Sequence, residues 1–232
     1  MKILAIIPAR GGSKGIINKN IIDLNSKPLI HYTLNEVIKV KEISRVIVST
    51  ESEKIKSVCD RLGDFVPFMR PKELAQDHSR TIDLVKDVLR RLKEDYNEEY
   101  DYICLLQPTS PLRIAKDIEE SIGLIKKQMY GSVISLVKID EPHPYKMKVL
   151  VDGQIEPLLA NTDSSIPRQE LPEVYELNGA IYLSEINGLL KTQNFFSKPS
   201  TPYIMPMERS VNINNHFDLR QAELLLNEEI RK

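Results

Sequence analysis

Cysteine is scarce, net charge is almost nil and long apolar runs are missing, and these shortages narrow the field first. Cys59 and Cys104 are the two cysteines among 232 residues. They lie far apart in apolar surroundings and read as reduced core residues of a cytosolic protein, not as a disulfide framework. No apolar run approaches the length of a membrane span. Met1-Lys2 leads straight into a short apolar stretch that Arg10 interrupts, so a signal peptide is not expected and a cytoplasmic location is. The net charge is −1, without a long run of one sign, which argues against a nucleic-acid binder. No internal repeat or low-complexity segment is visible. Familiar motifs are missing too. There is no Walker A loop, and Gly11, Gly12 and Gly15 have the wrong spacing for G-x-G-x-x-G, which argues against a dinucleotide oxidoreductase. There is no nucleophile elbow and no Cys/His pair of credible spacing, so a covalent nucleophile on the protein is not expected.

What is present starts at the beginning. Ile3-Leu4-Ala5-Ile6-Ile7-Pro8 reads as a buried strand, and Ala9-Arg10-Gly11-Gly12-Ser13-Lys14-Gly15 as a loop at its carboxyl end, followed by Lys19-Asn20. Open α/β sheets bind ligands at that end of their strands. Glycines let backbone N–H groups approach an anion, and Arg10, Lys14 and Lys19 add positive charge. A nucleoside triphosphate suits such a loop; a tight turn with solvated lysines is the plainer alternative.

Strands and helices then alternate. Helices are expected at Leu29–Val40, at Thr81–Lys93 with Ile82, Val85, Val88, Leu89 and Leu92 as its apolar stripe, and at Ala115–Gln128. Thr50-Glu51-Ser52-Glu53 fits a capping box before another helix, which Gly63 is placed to end. Strands are expected at Arg45–Ser49, Phe65–Phe68, Tyr102–Leu106 and Ser132–Val137, the all-apolar Tyr102–Leu106 being central. Residues 139–177 break the pattern: prolines are frequent, and Asp152-Gly153 signals a hairpin. A strand at 179–183, a helix at 184–191, strands near 202–206 and 209–213 and a helix at 217–230, capped by Asn215 or Asp218, complete the chain. This alternation implies one α/β domain over residues 1–232, Rossmann-like, with a mostly parallel sheet and helices on both faces.

Ile7-Pro8-Ala9-Arg10-Gly11-Gly12-Ser13-Lys14-Gly15 with Lys19-Asn20 closely resembles the signature of the bacterial CMP-sialic acid synthetases, the acylneuraminate cytidylyltransferases. Further blocks follow in the same order. They are Arg70-Pro71-Lys72-Glu73-Leu74-Ala75-Gln76-Asp77, then Leu105-Leu106-Gln107-Pro108-Thr109-Ser110-Pro111-Leu112-Arg113, then Pro167-Arg168-Gln169 with Asn178-Gly179-Ala180-Ile181-Tyr182. Val211-Asn212-Ile213-Asn214 before Asp218-Leu219 matches in position only. The resemblance implies a nucleotide-diphospho-sugar transferase fold in which the 139–177 excursion protrudes and builds a homodimer. It implies transfer of CMP from CTP to the anomeric hydroxyl of a nonulosonic acid, with loss of pyrophosphate. In these roles Arg10 would meet the α-phosphate, Lys14 and Lys19 the β- and γ-phosphates, and Gly11, Ser13, Asn20, Arg70 and Thr81 the nucleotide. Gln107, Arg168, Glu176 and Asn178 would hold the sugar, with Arg168 on its carboxylate. The plainer alternatives are a turn residue for Asn20, a helix cap for Thr81 and a surface side chain for Arg168.

Two departures from the family stand out. Its members commonly carry Asp-Ile-Asp as Mg²⁺ ligands where this chain has Asn212 and Asn214, so only a weak metal site is expected there, or a metal held mainly by the triphosphate. Asp218 is a possible substitute ligand, and His216 reads as a surface residue. Glu176 stands where many relatives have Arg, which points to a sialic-acid relative such as diacetyllegionaminate, the legionaminic branch. A CMP-3-deoxy-octulosonate synthetase is disfavoured by Gln107 in place of that family's Asp. A non-catalytic nucleotide-binding module is the alternative that the asparagines support.

Overall fold

A computed structural model describes residues 1–13, 15–129, 131–160 and 162–230. Lys14 therefore lies outside the described residues. In chain order the elements are β1 (Ile3–Pro8), β2 (Asp23–Leu24), β3 (Lys27–Pro28), α1 (Leu29–Val37), β4 (Ile43–Ser49), α2 (Glu53–Asp60), α3 (Thr81–Tyr96), β5 (Tyr102–Leu105) and α4 (Ala115–Gln128). They continue with β6 (Ser132–Ile139), β7 (Lys148–Val151), β8 (Gln154–Pro157), β9 (Val174–Glu185), α5 (Ile186–Thr192), β10 (Ser200–Met205) and α6 (His216–Ile230).

Six strands form the main sheet in the order β10-β6-β9-β5-β1-β4. Five run the same way, and β9 runs against both its neighbours, β5 and β6. Alternation along β1 sets the layers. Ile3, Ala5 and Ile7 face a core completed by Ile30 and Leu34 of α1, Ile55 and Cys59 of α2, and Ile118 and Ile122 of α4. Leu4 and Ile6 face the opposite core, closed by Val85, Val88 and Leu92 of α3 and Leu189 of α5. Both cysteines are buried and free, and burial pushes each thiol up to about 12. They are core residues, as expected.

A third, smaller core joins the two ends of the chain. Ile16, just after the glycine-rich loop, packs with Leu112, Val211, Ile213, Leu219 and Ala222. The segment 209–213, read from its alternation as a strand, is none. Met207–Arg209 forms one 3-10 turn, and Val211 and Ile213 turn inward onto this cluster. A backbone bond from Ile213 N–H to the Thr109 carbonyl, 2.8 Å long, ties the segment to the β5–α4 loop.

Other boundaries differ for local reasons. Phe65–Phe68 is not a strand, although the Phe65 carbonyl accepts from Val48 N–H at 2.7 Å. The cap of α2 is Ser52, whose Oγ accepts from Ile55 N–H; Thr50 Oγ1 turns back to Ser52 N–H instead. Asn215 and Asp218 share the start of α6. Asn215 Oδ1 accepts from Asp218 N–H at 3.1 Å and Asp218 Oδ2 from Asn215 N–H at 3.1 Å, a reciprocal box. The excursion does contain a hairpin, β7–β8, turning at Asp152 and Gly153 with φ of 51° and 78°. It stands on a two-stranded stalk, because β9 starts at Val174, earlier than the pattern suggested, and pairs with Ile139 at the end of β6. His143 steadies its base: Nε2 bonds the Pro172 carbonyl at 3.0 Å and Nδ1 accepts from Tyr145 N–H at 3.2 Å.

One buried ion pair holds the chain just before the 211–214 segment. Asp117 on α4 is fully buried, and its carboxylate accepts from Arg209 Nη2 at 2.7 Å, Tyr203 Oη at 3.0 Å and Ile114 N–H at 3.0 Å. Burial and the Glu120 carboxylate raise the Tyr203 hydroxyl, so it stays a donor. Arg209→Met strands the Asp117 charge and is expected to lower stability by about 3 kcal/mol in a urea unfolding titration. Unchanged stability would show that Arg209 is incidental.

Candidate functional site

Parallel β1, β4 and β5 end at one edge of the sheet, and a cleft of about 520 Å³ opens there. Arg10 and Ser13 enter it from the glycine-rich loop, Lys19 and Asn20 from the turn after it, and Arg70 and Thr81 from the β4–α3 connection. Gln107 comes from the end of β5, and Asn212 and Asn214 close the far side. Eight residues expected at the nucleotide or metal, and Gln107 expected at the sugar, are thus gathered from five stretches of chain.

Their chemistry is uneven. Arg10 donates from Nη1 to Asp77 Oδ1 at 2.8 Å, so a carboxylate now sits where an incoming anion would. Lys19 Nζ donates to the Ile213 carbonyl at 2.9 Å. Burial and the neighbouring Arg10 charge lower its pKa, and Asp218 opposes them only in part. Arg70 is buried, with its guanidinium on the Oγ and carbonyl of Ser49. Burial lowers it to about 10, partly countered by Glu51. Thr81 is the first residue of α3, and Arg80 holds the cap position.

Three residues expected at a ligand are spent on the scaffold. Gly11 is outside the cleft lining. Its N–H donates to Glu51 Oε1 at 2.7 Å, and a Cβ there would lie 3.0 Å from that of Ser52, so the glycine serves close packing. Asn20 is buried, and its Nδ2 donates to the Arg10 carbonyl at 2.9 Å. That bond pins the loop and engages one of the two amide N–H donors. Asn178 is buried in a bulge of β9. Ile134 pairs with Tyr182 but Leu136 with Leu177, so residues 178–181 face Ser135 alone. Ser135 Oγ accepts from Ile181 N–H at 2.7 Å and bonds Asn178 Oδ1 at 2.6 Å. Asn178 Nδ2 donates to Ser210 Oγ at 3.1 Å. The bulge sets Gly179, at φ 72°, beneath Gln107 and Asn212.

Arg168 and Glu176 do not join the cleft. Arg168 lies in a 3-10 turn of the excursion, 3.2 Å from Asp140 and beside a separate hollow of about 320 Å³. Glu176 is exposed on the stalk, opposite Val137. The stalk carries both away from their own chain's cleft.

Several positioning groups become visible only in the fold. Arg113 is fully buried, with Nη1 on the Ala180 carbonyl at 2.8 Å and Nη2 on Thr33 Oγ1 at 2.6 Å. Glu51, Asp77, Ser135 and Arg209 complete the set. Asp77 ended a recognised block; a lone serine in the apolar run of β6 was the signal for Ser135.

The donor set does not suit Mg²⁺. Asn212 Oδ1 is a buried oxygen without a partner, but it is neutral. Asn214 Nδ2 turns back to the Asn212 carbonyl at 3.3 Å, and Asp218 is committed to the start of α6. Among the described residues no three His, Cys, Asp or Glu side chains converge as ligands. Mg²⁺ favours anionic oxygen.

A mixed α/β sheet with a cationic cleft at its parallel strand ends is the arrangement in which open α/β folds receive anionic ligands. Residues 4–205 match the family model described as cytidylyltransferase, and the chain belongs to that family. It is 34% identical over 223 residues to the N-acylneuraminate cytidylyltransferase of Escherichia coli O18:K1:H7, covering 95% of this chain and 51% of that protein. It is 33% identical to the CMP-N,N'-diacetyllegionaminic acid synthase of Legionella pneumophila, covering 97% of each. The chain therefore spans about half the length of the E. coli relative and nearly all of the Legionella one. The structure of a CMP:2-keto-3-deoxy-manno-octonic acid synthetase complexed with CTP superposes with a TM-score of 0.72 at 18% identity, covering 99% of this chain and 100% of that one. No described helix is long and apolar enough to cross a membrane.

Gly179→Ala would place a Cβ 2.5 Å from Gln107 Oε1 and 2.8 Å from Asn212 Nδ2, at a φ of 72°. Left-handed backbone costs an alanine about 1–2 kcal/mol, so a stability loss of at least that size is expected in urea unfolding. A variant as stable as the parent would show that the bulge relaxes freely. Lys19 yields a pH prediction. A bound phosphate restores its pKa, so the affinity for inorganic triphosphate measured by calorimetry should fall as pH rises through the lowered free value, earlier than for an ordinary lysine. The Lys19→Arg variant should shift that fall to higher pH.

Proposed function

We propose that the protein joins CMP from CTP to the anomeric hydroxyl of a nonulosonic acid and releases pyrophosphate, supplying an activated sugar for surface glycans in the cytoplasm. The observation that carries this reading is the gathering of Arg10, Lys19, Arg70 and Gln107 at the carboxyl edge of parallel strands in a chain of the cytidylyltransferase family. The sugar hydroxyl oxygen attacks the α-phosphorus and gives up its proton to solvent, and the bond to pyrophosphate breaks with its electron pair leaving on pyrophosphate. Such a step needs in-line positioning and charge neutralisation, not a nucleophile from the protein. Arg10 exchanges its Asp77 carboxylate for phosphate and presents paired donors to the α-phosphoryl oxygens. Lys19 takes the outer phosphates, together with Lys14. Gln107, fixed over Gly179, orients the sugar.

Arg168 and Glu176 fit this reading in a homodimer. The excursion exposes Leu150, Ile155, Leu158 and Leu159, an apolar face that a second copy would cover. In such a pair the stalk of one copy offers Arg168 to the sugar carboxylate at the other copy's cleft. Glu176 in that position favours a diacetyllegionaminate-like sugar over N-acetylneuraminate, a preference consistent with the Legionella relative.

Pyrophosphate release with CTP and a panel of nonulosonic acids, with mass detection of the CMP-sugar, tests the reaction. One sugar should be turned over, and Arg10→Ala should lower its kcat/KM by about a hundredfold or more. Bound CTP without any product would favour a non-catalytic module, and a product from 3-deoxy-octulosonate alone would favour that synthetase. Glu176→Arg should shift the preference toward N-acetylneuraminate; an unchanged ratio would remove Glu176 from sugar selection.

A further inference from the structure

The cleft's charges are distributed in an unusual way for a triphosphate site. Arg10, Lys19, Arg70 and Arg80 line it, and Asp77 is the one carboxylate among the described lining residues. That carboxylate is engaged by Arg10. Glu51 lies outside the lining and is bonded to Gly11 N–H, and Asp218 closes the start of α6. On the far side the side chains are the neutral amides of Asn212 and Asn214. Between them the Ile213 carbonyl accepts from the Lys19 ammonium at 2.9 Å. A protein cation thus occupies the ground next to the amides, and a second cation there would meet Lys19, whose charge Asp218 offsets only in part while bonded to the N–H groups of Asn214 and Asn215.

We infer that this cleft has no divalent-cation site of its own: Arg10 and Lys19 meet the triphosphate directly, and any metal enters only on the nucleotide. The inference rests on CTP being the ligand. Its consequence is specific. Magnesium removes two negative charges from the triphosphate. A cleft that holds the ion with carboxylates regains that loss, whereas a cleft of cations and amides does not. Metal-free CTP therefore binds at least as tightly as its magnesium complex. Asn212 and Asn214 set this behaviour, and changing both to aspartate reverses it.

Calorimetry of the full chain with CTP, once in EDTA and once in excess Mg²⁺, tests the claim without any sugar. Wild type should bind in EDTA with equal or tighter affinity. The Asn212→Asp, Asn214→Asp double variant should bind metal-free CTP at least tenfold more weakly and recover in Mg²⁺. A wild type that binds CTP tenfold more tightly in Mg²⁺ than in EDTA overturns the inference. A Mn²⁺ titration followed by electron paramagnetic resonance, without nucleotide, decides separately. No bound Mn²⁺ in wild type with a site gained in the double variant upholds the inference, and a stoichiometric site in wild type that Asn212→Ala abolishes overturns it. Failure of CTP to bind under both conditions would count against the cytidylyltransferase reading, and the Mn²⁺ result would still decide whether the cleft holds a metal. Should the double variant misfold, the two wild-type measurements suffice.

Discussion

The site depends on one buried guanidinium. Arg113 sits with no exposed surface to speak of between α1, the β5–α4 loop and β9, and it bonds Thr33 Oγ1 and the carbonyls of Gln107 and Ala180. Burying such a charge is costly, and burial lowers its pKa to about 10. Fixed acceptors from three elements offset that cost only in one arrangement. The β5 end and the β9 bulge are therefore locked together, and Gln107 is held over Gly179. Asp117 and Arg209 do the same for the segment that carries Asn212 and Asn214.

Those two networks also show where a sequence is hard to read. Charged residues such as Arg113, Asp117 and Arg209 look like surface, because most of their kind are, and burial becomes visible only when partners distant in sequence converge. The strand ends were easier. Ile3–Pro8 and Tyr102–Leu105 announce themselves by unbroken apolar runs, so the placing of Arg10 and Gln107 at one edge of the sheet follows from the sheet's own logic. Asn178-Gly179 was read as chemistry at a sugar. Its amide is instead the framework of a bulge, which depends on Ser135 more than forty positions away in the neighbouring strand. Val211 and Ile213 alternate as a strand would, but their partners are a small third core and not a ladder.

Arg168 and Glu176 expose a different limit. Arg168 suits a carboxylate and Glu176 an N–H or hydroxyl group, yet the stalk's direction is set by how far β6 and β9 remain paired beyond the sheet. Local pattern names the chemistry and says nothing about which cleft receives it. Asn212 and Asn214 are the reverse case. Their amides were visible from the start, and the arrangement of Lys19 against the carbonyl between them gives that substitution its physical meaning.

The small core beneath the glycine-rich loop has a consequence for the order of assembly. Lys19 and Ile213 meet across 194 positions of chain, and Ile16 packs on residues as late as Ala222. The β1 loop emerges from the ribosome first but has nothing to rest on until nearly all of these residues have been made. A nascent chain can close β1, β4 and β5 into a sheet while its phosphate loop still lacks its floor. The cleft is thus among the last features to form during synthesis, because the floor of its loop needs Leu219 and Ala222 from α6.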